Sequence, residues 1–228
     1  MNSSYLNSAT LVFDLDGTLV DTAPDLIRTL NHVLGQHGCP HVQGAHIRSF
    51  IGFGARRMII EGLAVSGKVL GDEEIDDLLT RFLHHYGSNV AVESAPYPNV
   101  IDVLDTASRA GARLGVCTNK REDLSHALLR ELELHHRFGA IVGRDTLDVC
   151  KPDPRHLTET ISRAGGHSGK AIMIGDSPTD VKTARAAGIP VVAVSFGYSE
   201  VPVHELGADV VIDDYADLMS VLPELLEG

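Results

Sequence analysis

Two carboxylates, Asp14 and Asp16, stand two residues apart at the end of the apolar run in VFDLDGTLVD, Val12–Asp21, and Gly17 and Thr18 follow at once. Side chains at i and i+2 of a strand share a face, so a strand persisting through Asp16 points both carboxylates the same way. Such a pair is unfavourable without a compensating cation. Asp and Gly are also ordinary turn residues, and a strand running into a turn is the plainer alternative. Three further groups stand at comparable places: Thr118 and Asn119 in VCTNK, Lys151 in CKPDP between Pro152 and Pro154, and Asp176 and Asp180 in IMIGDSPTD. Taken singly, Lys151 is an ordinary surface lysine and Thr118 a strand-end turn residue. Asp176 and Asp180 alone read as a helix N-cap and a solvated first-turn side chain.

The elements that must position these residues are visible as apolar runs. Strand-length runs occur at Thr10–Leu15, Arg113–Thr118, Ala140–Val142, Ala171–Gly175, Pro190–Ser195 and Asp209–Ile212. From Arg113 onward they alternate with helical periodicity, as in Leu124, Leu128, Leu129 and Leu132, and then Val181, Ala184 and Ala187. Strands alternating with helices imply right-handed crossovers, so the expected class is α/β, a Rossmann-like parallel sheet flanked by helices. Between the first and second strands, helical patterns alone appear, at Leu26–His37, Ala55–Ala64 and Glu73–Tyr86. That interval is too long for one crossover. It predicts a small all-helical domain, residues 21–95, inserted into a core made of residues 1–20 and 96–228. The proline-bearing APYPNV stretch, Ala95–Val100, reads as the return hinge. In open parallel sheets ligands bind outside the carboxyl ends of the strands, and each candidate residue falls at such an end.

Composition excludes several classes. The 228 residues suit one large domain, or one with a smaller insert, and 43% apolar with 22% charged is ordinary for a globular protein. With 31 acidic residues against 19 basic ones, the net charge is -12, and no Lys/Arg-rich run offers the basic stripe that nucleic acid requires. Cys39, Cys117 and Cys150 are far apart with no CxxC pair, which suits reduced thiols better than a disulfide framework or a zinc site. The opening MNSSYLNSAT has neither a basic nor an apolar signal region, and no apolar run approaches membrane-spanning length. The expectation is a soluble cytoplasmic protein with no membrane or nucleic-acid partner; monomer and homodimer both stay open. The twelve histidines show no HExxH spacing and read as mainly surface residues.

In order along the chain, Asp14–Thr18, Thr118, Lys151 and Gly175–Asp180 resemble the haloacid dehalogenase superfamily, which is marked by DxDGT, a Ser or Thr, a Lys, and GDxxxD. The DxDGT residues alone arise by chance at about one start point in 10^5. The resemblance implies phosphoryl transfer with Mg2+ as cofactor. A carboxylate facing a phosphate is repelled by about 4 kcal/mol per pair of unit charges at ~4 Å and an effective dielectric of ~20, so a bridging cation and a lysine are needed. By resemblance, Asp14 is the nucleophile that forms an aspartyl-phosphate. Asp16 is then the general acid and later the base, with its backbone carbonyl on the metal. Thr118, Asn119, Gly17 and Lys151 face the phosphate, Asp176 ligates the metal, and Asp180 supports it indirectly.

The segments LVDTAPDLIRTLN, FIGFGARRMI, YPNV, TNKRE, KPDP, GDSPTDVKTARAAG and FGYS further resemble the bacterial phosphoglycolate phosphatase family over nearly the whole chain. This implies a small phosphate ester as substrate, 2-phosphoglycolate, with the helical insert as a cap. Phe53 and Asn99 depart from the family pattern. The GFGARR stretch lacks a preceding strand and GK[ST], which argues against a nucleotide loop. Gly52 and Gly54 let backbone approach a small substrate and Arg56 is a candidate for its carboxylate, while solvent-facing arginines at a helix start fit equally well. Sugar phosphates, pyrophosphate or nucleotides are alternative substrates. A sugar-phosphate mutase requires a dedicated acid/base in the cap, and His32 faces away if Leu26, Leu30 and Val33 face the core. Dehalogenation needs no proton donor such as Asp16. Phosphonate cleavage needs a Schiff-base lysine, and Lys68, the only lysine of the insert, reads as a surface-loop residue in SGKVLG. A non-enzymatic binding protein has no need of Asp16.

Overall fold

The protein, described by a computed structural model over residues 4–227, follows the expected alternation from its second major strand onward. Met1–Ser3 and Gly228, the ends of the expected core, lie outside the described residues. After a 3-10 turn at Ser4–Leu6 come β1 (Thr10–Phe13) and β2 (Val20–Asp21), followed by the helices α1 (Ala23–Gln36), α2 (Gly44–Ile47), α3 (Ala55–Val65) and α4 (Asp72–Gly87). It returns through β3 (Ala95–Pro96) to α5 (Val100–Arg109), β4 (Arg113–Cys117), α6 (Glu122–Glu131) and β5 (Ala140–Val142). The last third holds α7 (Pro154–Arg163), β6 (Ala171–Gly175), α8 (Pro178–Ala187), β7 (Val191–Val194), β8 (Val210–Ile212) and α9 (Leu218–Glu227).

Six strands form one sheet in the order β5-β4-β1-β6-β7-β8, and every neighbouring pair is parallel. Their near-continuous apolar sequences are what burial on both faces demands. On one face Leu11 and Phe13 pack with Val100 and Leu104 of α5 and Leu218 and Leu222 of α9. On the other, Val12, Cys117 and Met173 pack with Leu157 and Ile161 of α7 and Val181 and Ala184 of α8. Each such side chain stabilises the fold by roughly 1.5–3 kcal/mol relative to exposure. From β1 the chain steps outward to β4 and β5 and then crosses back to β6, so the order reverses beside β1. A crevice at the carboxyl edge is expected there.

The helices between β2 and β3 bury one apolar face each against one another, through Leu26, Leu30 and Leu34 of α1, Met58 and Leu63 of α3, and Leu78 and Phe82 of α4. The acidic start of α4, Asp72–Glu74, suits the positive end of its helix dipole. Helix α5 and two features at the insert have no counterpart in the sequence reading. The turn of α2 with the 3-10 segment Arg48–Phe53 is too short to show a period. The β2–β3 pair is antiparallel and two residues long, with Val20 opposite Pro96 and Asp21 opposite Ala95, extended by a bond from Tyr97 N–H to Leu19 O. This small ribbon closes the base of the insert at the predicted hinge. Among the described residues, no helix is long and apolar enough to cross a membrane.

Candidate active site

β1 ends at Phe13, two residues before the apolar run does. Asp14 N–H still bonds to Ile174 O at 2.9 Å, which holds the next residue against β6. The chain then folds into a turn in which Leu15 O accepts from the N–H groups of Thr18, Leu19 and Val20. Gly17 makes this possible with φ of 81°, and a Cβ there would lie 2.6 Å from Asp176 Oδ2. The Gly17 N–H, expected on the phosphate, donates instead to Val20 O. The turn sends the two carboxylates to different partners. Asp14 Oδ1 lies 2.9 Å from Lys151 Nζ, while Asp16 lies 2.9 Å from Lys120 Nζ and accepts from Thr22 Oγ1 at 2.7 Å.

The end of β6 supplies the second half of the site. Gly175 has no side chain because a Cβ would sit 2.4 Å from the Asp180 side chain, which folds back over the strand end. Asp180 Oδ2 accepts from the Ser177 N–H and hydroxyl, making the capping box of α8, and Oδ1 accepts from Lys151 Nζ at 2.6 Å. Asp176 accepts from Thr18 Oγ1 at 2.8 Å and from Tyr198 N–H at 2.7 Å. Asp14, Asp176 and Asp180 each offer an oxygen within 4.8 Å of the others, and all three are buried. Burial first, and then the neighbouring carboxylates, raise Asp176 to about 8; burial also raises Asp14 to about 6 against the pull of Lys151. Burial lowers Lys151, but Asp14 and Asp180 more than reverse that and hold it above the ordinary lysine value. Three carboxylates therefore face one ammonium, a formal excess of two negative charges made of hard oxygen donors. The donor set fits a divalent cation such as Mg2+.

At the end of β4, Thr118 N–H bonds to Val142 O and Thr118 Oγ1 accepts from Lys120 N–H. The Asn119 side chain, expected on the substrate, donates to Lys151 O at 3.1 Å and so ties two loops of the site together. Behind them His156 is fully buried, an exception among the mainly surface histidines, with Nε2 at 2.9 Å from Gly143 O and Nδ1 at 3.2 Å from Cys117 Sγ. A single polar residue barely alters the amphipathic pattern of α7. His32 stacks on His85 at 4.0 Å between α1 and α4, and Lys68 bonds to His37 O; neither lines the cavity described next.

A cavity of about 380 Å³ opens between the strand ends and the helical insert. Asp14, Asp16, Thr118 and Asn119 form its floor side; Gly52, Gly54, Arg56 and apolar residues including Met58 and Phe82 line it from the insert. Arg56, the candidate for a substrate carboxylate, is already engaged by Asp72 at 2.9 Å and Asp76 at 3.3 Å.

Four contacting residues were not singled out from the sequence. Lys120 and Thr22 hold Asp16, Tyr86 of α4 places its ring 4.5 Å from Lys120 Nζ, and Tyr198 joins Asp176 to the hinge through its hydroxyl, 2.6 Å from Asp21. Lys120 lies within the matched TNKRE segment, and that was its one signal.

The reversal beside β1 and the buried carboxylate cluster define an α/β protein with a cation-binding crevice at its strand ends. The family model described as haloacid dehalogenase-like hydrolase matches residues 11–194, and the chain belongs to that family. Among its relatives are the phosphoglycolate phosphatases of Mesorhizobium japonicum, 49% identical over 95% of both chains, and of Caulobacter vibrioides, 46% identical over 97% of this chain and 93% of that one. A crystal structure described as a "predicted phosphoglycolate phosphatase", from Haemophilus somnus 129pt, superposes with a TM-score of 0.88 at 28% identity, covering 95% of this chain and 98% of that one.

Proposed function

We propose that the protein is a Mg2+-dependent phosphatase that hydrolyses 2-phosphoglycolate to glycolate and phosphate, with residues 21–95 acting as a cap over the reacting groups. The observation that carries this reading is the arrangement of Asp14 beside Lys151, and Asp16 beside Lys120, at the crevice where β1, β4 and β6 end. The names of the relatives support the substrate.

In this reading the Asp14 carboxylate attacks phosphorus and the P–O bond to the leaving alcohol breaks, giving an aspartyl-phosphate on Asp14. Asp16 delivers a proton to the departing oxygen; it then takes one from the water that attacks the aspartyl-phosphate and restores Asp14. Thr22 and Lys120 orient Asp16 for both transfers. Lys151 and Thr118 bind the phosphate oxygens. Asp14, the Asp16 carbonyl and Asp176 would hold Mg2+, which would supply the positive charge that lets a carboxylate approach a phosphate. Asp180 keeps Lys151 and the start of α8 in place and supports the metal indirectly.

Phosphate release from a panel of 2-phosphoglycolate, sugar phosphates, pyrophosphate and nucleotides tests this directly. The expected kcat/KM for 2-phosphoglycolate is above ~10^4 M^-1 s^-1 with Mg2+, lost in EDTA. Preference for another ester discards the substrate, and no Mg2+-dependent turnover discards the activity.

The charge cluster also predicts a pH-dependent response to Mg2+. Asp14 and Asp176 are raised above the unfolded value of 3.8, so between about 4 and 8 these two groups hold more protons in the folded protein than in the unfolded chain. Their contribution to stability in EDTA therefore falls as pH rises through that window. Mg2+ needs the deprotonated ligands, so its stabilisation grows over the same range. At a hundredfold excess over its Kd it contributes about 2.7 kcal/mol. For a chain of this size that is a rise in Tm of roughly 5–10 °C at pH 8, with a smaller one at pH 5. Equal shifts at both pH values in a thermal melt refute the assignment.

A further inference from the structure

We propose that Arg144 is the residue that recognises a carboxylate on the substrate, at the end away from the phosphate. This rests on the reading of the cavity as a phosphate-ester site. Four cationic side chains line the cavity: Arg56, Lys120, Arg121 and Arg144. Three are occupied. Arg56 pairs with Asp72 and Asp76, Lys120 with Asp16, and Arg121 with Asp123 at 3.2 Å and Asp145 at 3.6 Å. Among the described residues, Arg144 is the one of the four with no carboxylate within 4.0 Å.

Its position suits the task. Arg144 follows Gly143 directly after β5, and its N–H donates to Lys120 O at 2.8 Å, which fixes its backbone to the loop that carries Thr118. Gly143 lets the two loops approach closely, since a Cβ on it would lie 2.4 Å from Glu122 N, and its carbonyl is 2.9 Å from Nε2 of buried His156. From this base the guanidinium reaches the insert, where Nη1 is 3.5 Å from the place a Cβ on Gly54 would occupy. The side chain thus spans from the strand ends to the cap loop as an exposed residue of a cavity whose other lining residues include the apolar Met58, Phe82 and Leu83. Asp14 and Thr118 line the same cavity as Arg144, so the reacting groups and this guanidinium share one space, where a second anionic group on a substrate needs a cation. Guanidinium meets a carboxylate through two parallel hydrogen bonds, a geometry that a neutral tail does not supply.

The test compares 2-phosphoglycolate with ethyl phosphate, which has the same reacting group and no carboxylate. In Arg144→Met the ratio of kcat/KM for 2-phosphoglycolate to that for ethyl phosphate is expected to fall about 10- to 100-fold, as loss of a charged hydrogen-bonded pair implies, chiefly through KM, with partial recovery in Arg144→Lys. An unchanged ratio overturns the proposal. Calorimetric binding of 2-phosphoglycolate to Asp14→Asn with Mg2+, with and without Arg144→Met, separates this from the assigned reaction. If the wild type fails to hydrolyse 2-phosphoglycolate yet binding weakens at least tenfold on loss of Arg144, the substrate assignment falls and the carboxylate site stands. Equal affinities, or no binding by either protein, overturn it.

Discussion

Asp14→Asn is expected to lower kcat by about 10^4-fold or more while leaving the protein folded and at least as stable. Removing a nucleophile eliminates the covalent path altogether, and losses of that order accompany it in enzymes that work through covalent intermediates. Asn keeps the volume of Asp, and its carbonyl can still accept the 2.7 Å bond from Leu15 N–H. What disappears is a buried negative charge that burial itself disfavours, since Asp14 is raised to about 6. Near-neutral pH the variant therefore sheds repulsion with Asp180 and Asp176, and its Tm in EDTA should equal or exceed that of the wild type. The two readouts are phosphate release and a thermal melt. Wild-type turnover in a variant verified by mass as Asn rules out Asp14 as nucleophile. Inactivity with a collapsed Tm shows only that the residue is structural.

Lys151→Met should have the opposite stability signature. Lys151 Nζ lies 2.9 Å from Asp14 and 2.6 Å from Asp180, and the side chain is 2% exposed. Met preserves length and apolar contact but leaves three buried carboxylates with no cation. Removing one partner of a buried ionic set costs about 3–5 kcal/mol, because the remaining charge is uncompensated. For a chain of this length the corresponding loss of Tm is roughly 6–20 °C near pH 8. Lowering the pH protonates Asp14 and Asp176 and reduces the penalty, so the gap to the wild type should narrow between pH 8 and pH 5. A kcat loss of about 10^2- to 10^3-fold should persist in the folded fraction, since a preorganised positive charge no longer meets the transferring phosphoryl group. A gap constant with pH contradicts the account of Lys151 as the counter-charge of this cluster.

Much of this was legible before any coordinates. The apolar runs match the strands because parallel strands buried on both faces must be apolar throughout, and the long helical interval between β1 and β4 is too extended to hide. The expected helices lie within the observed α1, α3 and α4 to within a few residues at their ends. The two-residue strands β2 and β3 were invisible, since a pair held by so few backbone bonds leaves no periodic trace.

The sequence by itself determined the residue types of the site and the strand ends that carry them, because burial period, turn chemistry and the DxDGT and GDxxxD spacings are local properties of the chain. It also determined that carboxylates would be in excess. Only the tertiary structure decided which charge meets which. Lys120 and Asp16 are separated by 104 positions, and Asp72 claims Arg56 from the start of the following helix. Ion pairing depends on distances of a few ångströms in space and is indifferent to separation along the chain. Arg56 and Arg144 are therefore equivalent as letters and differ only once the fold has supplied one of them with two aspartates.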